Sequence, residues 1–173
     1  MRADLLPWRL GAQWFDAAPA STTSSQAVGR LGAVQSQLFE QSLWALSRRV
    51  PGATLTSLTA DFQSGQWLRT HVLRPTWHHL LAADLHWMLA VTGPRCEAAA
   101  LAANRGHGAD EATSRRAAAL ITEAVRAADR PLLRADLARA TADLEISGTV
   151  LGNAIGIGEA RTEIVCGPMV DGQ

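Results

Sequence analysis

The chain has 173 residues, 47% of them hydrophobic, with a mean hydropathy of +0.01; it can bury a real core as one domain or two small ones, and no run approaches the roughly 18 apolar residues that would cross a membrane. Sixteen Arg balance 16 acids, and neither Lys nor Tyr occurs, which excludes a P-loop lysine, a pyridoxal phosphate or lyase Schiff base, and tyrosine recombinase chemistry. Cys96 and Cys166 lie far apart with no CxxC and no His at ligand spacing, so reduced structural thiols are expected and neither a metal nor another cofactor is. The apolar stretch behind Arg2 is cut by Pro7, Trp8 and Arg9, leaving no signal-peptide core and a cytoplasmic expectation.

Net charge is zero, but its distribution is uneven. Residues 48–95 hold Arg48, Arg49, Arg69, Arg74 and Arg95 against Asp61 and Asp84, together with four of the five histidines, whereas 96–173 carry eight Arg against eleven acids. An anion-binding face therefore belongs in the first half, with ordinary charge scatter as the alternative.

In chain order, a Trp-rich arm and the small polar stretch at 18–27 precede the first periodic segment. Phe39, Leu43, Leu46 and Val50 recur at helical spacing up to Pro51-Gly52, and Thr54 or Thr56 can cap a second helix through Leu55, Leu58 and Phe62 that ends at Gly65. Trp67–Leu73 and Trp77–Leu81, joined by Arg74-Pro75-Thr76, read as two short strands. Asp84, Leu85, Met88 and Leu89 open another helix, which Gly93-Pro94 is expected to stop; Asn104–Gly108 reads as a linker. Further helices are expected at Thr113–Ala128, after Pro131 and after Ser147, the last weakened by Gly148, Gly152, Gly156 and Gly158, followed by strand-like alternation at Arg161–Cys166. Helices followed by a hairpin make the winged-helix layout, so the expected class is mainly α with small β wings, in tandem winged-helix (helix-turn-helix) units. The boundaries are an arm and linker at 1–27, a first unit at 28–95, a linker at 96–112, and a second, incomplete unit at 113–173.

Five blocks carry a resemblance: Leu31-Gly32-Ala33-Val34-Gln35-Ser36-Gln37, Leu43-Trp44-Ala45-Leu46, Arg69-Thr70-His71-Val72-Leu73-Arg74-Pro75-Thr76-Trp77-His78, Asp84-Leu85-His86-Trp87 and Thr92-Gly93-Pro94-Arg95. In order and approximate spacing they resemble the AlkZ/YcaQ-type DNA glycosylases, over about 28–95 well and 113–168 loosely. The resemblance implies tandem winged-helix units, double-stranded DNA as partner, and excision of alkylated, often cross-linked, purines. It also implies that Gln35 and Gln37 match the family's catalytic Gln-x-Gln motif; the alternative is a pair of surface amides beside a helix. The family continues past the point where this chain stops at Gly167–Gln173, which implies a shortened member whose counterpart is a protein partner or a missing C-terminal half.

Residues two apart face nearly opposite sides of an α-helix and the same side of an extended chain, so Gln35 and Gln37 converge on one substrate only if this stretch is non-helical or lies at a helix start. An N7-alkylated purine is already cationic, so its excision asks mainly for a positioned water and a stabilised oxocarbenium-like sugar, which glutamine amides can supply without strong acid-base power. Arg69, His71, Arg74, Thr76 and His78 lie on or near the wing, where phosphates are met. Trp67 and Trp77 could stack on bases, although a packing role is the commoner one. His71, His78, His79 and His86 lack a carboxylate or thiolate at ligand spacing, and Gly156-Ile157-Gly158 lacks the third glycine of a dinucleotide loop. The competing function is a non-enzymatic DNA-binding module or transcriptional regulator on the same fold, or an inactive remnant.

Overall fold

A computed structural model describes residues 5–15 and 18–169. Its elements are α1 (Leu5–Ala12), α2 (Ser24–Leu31), β1 (Val34–Gln35), α3 (Phe39–Ser47), α4 (Leu55–Gln63), β2 (Leu68–His71), β3 (Trp77–Leu80), α5 (Ala82–Gly106), α6 (Glu111–Ala127), α7 (Arg134–Ala140), a 3-10 turn at Ala142–Leu144 and α8 (Gly148–Ala160). The chain is thus mainly helical with one small sheet, ordered β1-β3-β2. β1 runs antiparallel to β3, with Val34 opposite His79 and Gln35 opposite His78. No described helix is long and apolar enough to cross a membrane.

Two compact units emerge, one from Met1–Arg69 with His78–Asp84 and the other from Thr70–Trp77 with Leu85–Gln173. In the first, polar punctuation sets the helix ends. Thr23 Oγ1 accepts from the Gln26 amide at 3.2 Å while Gln26 Oε1 accepts from the Thr23 amide at 2.9 Å, and Thr54 and Ser57 repeat this exchange at α4. Gly65 then takes φ +77°, the left-handed turn that ends α4. Between these caps, Val28, Leu43, Leu46, Leu58, Phe62, Trp67 and Leu80 form a closed core. His79 is fully buried among Phe39, Phe62 and Trp67, with ring centroids 5.7–6.0 Å away. Trp67, at 1% exposure, is therefore a packing residue. The N-terminal arm is held through its backbone, Arg30 donating to the Ala12 carbonyl and Arg49 to that of Gln13.

The second unit packs helices through small residues. Ala117, Ile121, Leu137, Leu151, Ala154 and Ile164 form one cluster, and Ala100, Leu101, Ala118 and Ile157 another. Polar side chains are linked in the same unit: the Asn153 amide donates to Asn104 at 2.8 Å, and the Asn104 amide donates to the Ser114 hydroxyl at 3.0 Å. Ser147 caps α8 by accepting from the Val150 amide.

Three local expectations change. α5 runs through Gly93-Pro94 to Gly106, because burial on both sides of the proline, by Leu85, Met88 and Leu89 before it and by Cys96, Ala100 and Leu101 after it, outweighs the one backbone bond a proline removes. Asn104, expected in a linker, is a fully buried helical residue. Residues 161–163 form a turn, and of the alternating stretch only Cys166 makes an isolated bridge; Thr162, at φ +60°, interrupts the extended chain. The glycines of α8 leave room that packing uses: a Cβ on Gly158 would sit 3.1 Å from Ile164, and one on Gly152 3.2 Å from the Arg134 guanidinium. Residues 1–4 and 16–17 of the expected arm, and 170–173 of the expected second wing, lie outside the described residues.

Candidate functional site

The Gln35-Ser36-Gln37 segment is not helical; it comprises the end of β1 and the bend before α3. Burial alternates along it, with Val34 and Ser36 inward and Gln35 and Gln37 exposed. Gln35 and Gln37 are thus exposed on either side of a buried residue in a non-helical stretch of chain.

The Arg69 guanidinium reaches back from β2 to this segment. Its Nε and Nη2 both donate to the Ser36 carbonyl, at 3.2 and 2.9 Å. Ser36 is fully buried, and its hydroxyl makes no hydrogen bond among the described residues, so the polar hold on it comes through its backbone. Beside this anchor, His79 Nε2 and Ser42 Oγ share a hydrogen bond of 2.8 Å. Burial pushes the His79 imidazole down to about 3, with further lowering from the positive charge of Arg69 and from His78. It is therefore neutral in the folded protein, an interior histidine.

The remaining residues expected at the wing have different surroundings. Arg74 is exposed in the connection between β2 and β3. That connection is tightly folded: the Arg74 amide donates to the Val72 carbonyl and the Thr76 amide to that of Arg74, each at 2.7 Å, and Leu73 takes φ +66°. Thr92 Oγ1 on α5 accepts from the Leu73 amide at 3.3 Å, supporting a conformation that a leucine rarely adopts. His71 is turned inward, with its Nδ1 hydrogen-bonded to Glu159 and its amide donating to the same Oε2 at 3.3 Å. Its ring lies against Trp77, centroids 4.7 Å apart, and over the bare Cα of Gly156. Thr76 is half-buried, and His78 is only 5% exposed. Gln35 and Gln37 thus stand in the first unit with Arg69, whereas His71, Arg74 and Thr76 belong to the second.

Glu159 escaped the reading of the sequence. It is 1% exposed and also accepts from the Cys166 thiol at 3.4 Å; its one signal was a lone acid within an apolar, Gly-rich run. A cavity of about 30 Å³ beside His71, Cys96 and Asn153 has room for water and not for a nucleobase. Among the described residues no group of three or more His, Cys, Asp or Glu is placed to hold a metal ion.

The family model described as DNA glycosylase AlkZ-like matches residues 28–173. Neither the curated proteins nor the solved structures compared with the chain give a match. The matched span takes in the Gln-Ser-Gln segment, the three-stranded sheet and every helix from α3 onward. The chain belongs to the AlkZ-like DNA glycosylase family, and DNA is the partner that this membership indicates.

Proposed function

We propose that the protein is a monofunctional DNA glycosylase that releases N7-alkylated or cross-linked purines from double-stranded DNA through Gln35 and Gln37, on a winged-helix scaffold. The observation that carries the reading is the exposure of both glutamines on either side of buried Ser36 in a non-helical stretch, within a chain matched by a glycosylase family. In the reaction, the bond between C1′ and N9 breaks, its electron pair goes to the cationic base, and that base leaves neutral. Water then adds to C1′ and gives up a proton to solvent. The glutamine carbonyls orient the water and face the positive charge that develops on the sugar, so their work is positioning and electrostatic stabilisation. Arg74, exposed in the β2–β3 connection, is the phosphate contact best supported among the wing residues; His71, Thr76 and His78 are more enclosed.

The test is a base-release assay on a duplex carrying one N7-methylguanine. The expected products are free base and an unbroken strand with an abasic site, because no Lys is present to form a Schiff base. Replacing Gln35 or Gln37 with Ala is expected to slow release by about ten- to a thousandfold with DNA affinity nearly unchanged. Borohydride trapping of a covalent adduct would refute the mechanism, and intact DNA binding without base release would favour a regulator.

A further inference from the structure

We infer that Arg69 is the positioning residue of the Gln35-Ser36-Gln37 segment, acting through its two hydrogen bonds to the Ser36 carbonyl; as a role in catalysis, this rests on the glycosylase reading above. Two glutamines whose task is to hold a water at a fixed place work only as well as their backbone is held. The residue between them presents a buried carbonyl, and Nε and Nη2 of one guanidinium converge on it at 3.2 and 2.9 Å. A planar fork aimed at one oxygen restrains direction as well as distance, which a lysine ammonium would not do. The bonds span 33 residues of sequence, tying the segment to β2 independently of the antiparallel pairing of β1 with β3.

Arg69 was expected among the phosphate contacts, and the two roles separate cleanly in experiment. A phosphate contact contributes to affinity and to its salt dependence, roughly one unit of slope per contact. A positioning residue contributes to the chemical step. The half-buried guanidinium also contributes to the lowered proton affinity of His79, so its charge is felt inside the unit as well as at the surface.

The experiment compares Arg69→Lys and Arg69→Ala with the wild type in single-turnover base release from the N7-methylguanine duplex at saturating protein, in DNA affinity over a salt series, and in amide hydrogen exchange of the peptide spanning 34–39. Arg69→Lys retains the charge and is the variant that safeguards folding, which circular dichroism checks. The expected result is a fall in release of about tenfold or more in both variants, an unchanged salt slope in Arg69→Lys, and faster exchange confined to 34–39. Partial restoration of Arg69→Ala by guanidinium ion at sub-denaturing concentration would support the fork. Wild-type release and exchange in Arg69→Lys would overturn the inference, as would a flattened salt slope in Arg69→Ala with unchanged exchange. If the wild-type protein releases no base, the glycosylase reading fails, while the exchange measurement still decides whether Arg69 holds the segment.

Discussion

The unit around Phe39, Phe62, Trp67 and His79 and the unit around Ala117, Ile121, Ala154 and Ile157 close their cores by different means. The first brings large rings together in edge-to-face and tilted pairs, so volume fills the space between short helices. The second contains no phenylalanine or tryptophan among its described buried residues and brings helices together at Ala and Gly. A Cβ on Gly93, for example, would collide with the Ala160 carbonyl. The contrast implies opposite tolerances: the first unit is vulnerable to lost volume, the second to added volume.

The sharpest way to break that comparison is to exchange the insults. Phe62→Ala empties the centre of the ring cluster and is expected to cost about 3–5 kcal/mol in urea unfolding. Gly93→Val is expected to cost about 3 kcal/mol, because the obstacle is backbone and cannot rotate away. A tolerated Gly93→Val would mean that the close approach to α8 is dispensable and the contrast false.

Acid sharpens the distinction. His79 is held neutral, with its folded-state value at about 3 against an ordinary 6.5. The unfolded chain therefore takes up this proton first; the contribution is complete above pH 6.5 and is lost at up to about 1.4 kcal/mol per pH unit as pH falls from 6.5 towards 3. In the second unit the Glu97 carboxyl is held below its ordinary 4.5, chiefly by the hydrogen bond from Arg161 and then by that from Arg115, against partial burial. Its contribution is present above pH 4.5 and is lost only below it. Hydrogen exchange followed from pH 7 to pH 4.5 should thus show the first unit loosening before the second, and His79→Leu should flatten the response. An equal pH response in the wild type and His79→Leu would remove the histidine from the account.

The smallest expected effect is one in which the units agree. Thr54→Ala and Ser147→Ala each remove a side-chain cap from an amide at a helix start and should each cost about 1 kcal/mol in thermal unfolding.

Much of the first unit is legible in the sequence because its signals are local. Thr54 and Gly65 punctuate α4, and the alternation from Trp67 onward marks β2. Gly93-Pro94 misleads because a proline reads as a stop unless the burial on both sides is known, and that burial depends on residues near 160. The Gly-rich run of α8 is discouraging by propensity, yet its missing side chains make room for Arg134, His71 and Ile164. At the candidate site, the non-helical setting of Gln35 and Gln37 could be posed as a requirement from spacing alone. The hydrogen bonds from Arg69 to Ser36 and from His71 to Glu159 could not, since partners 33 and 88 residues apart leave no periodic trace.

The separation between His71 and Glu159 has a consequence for the order in which the chain matures during synthesis. The first unit has all its residues once position 84 has left the ribosome. The segment Thr70–Trp77 emerges earlier still, yet the carboxylate that accepts from the His71 amide and ring arrives only with α8. At about 5–20 residues per second, the 88-residue interval lasts from about 4 to 18 seconds. For that time His71 is without the carboxylate that holds it in the folded chain.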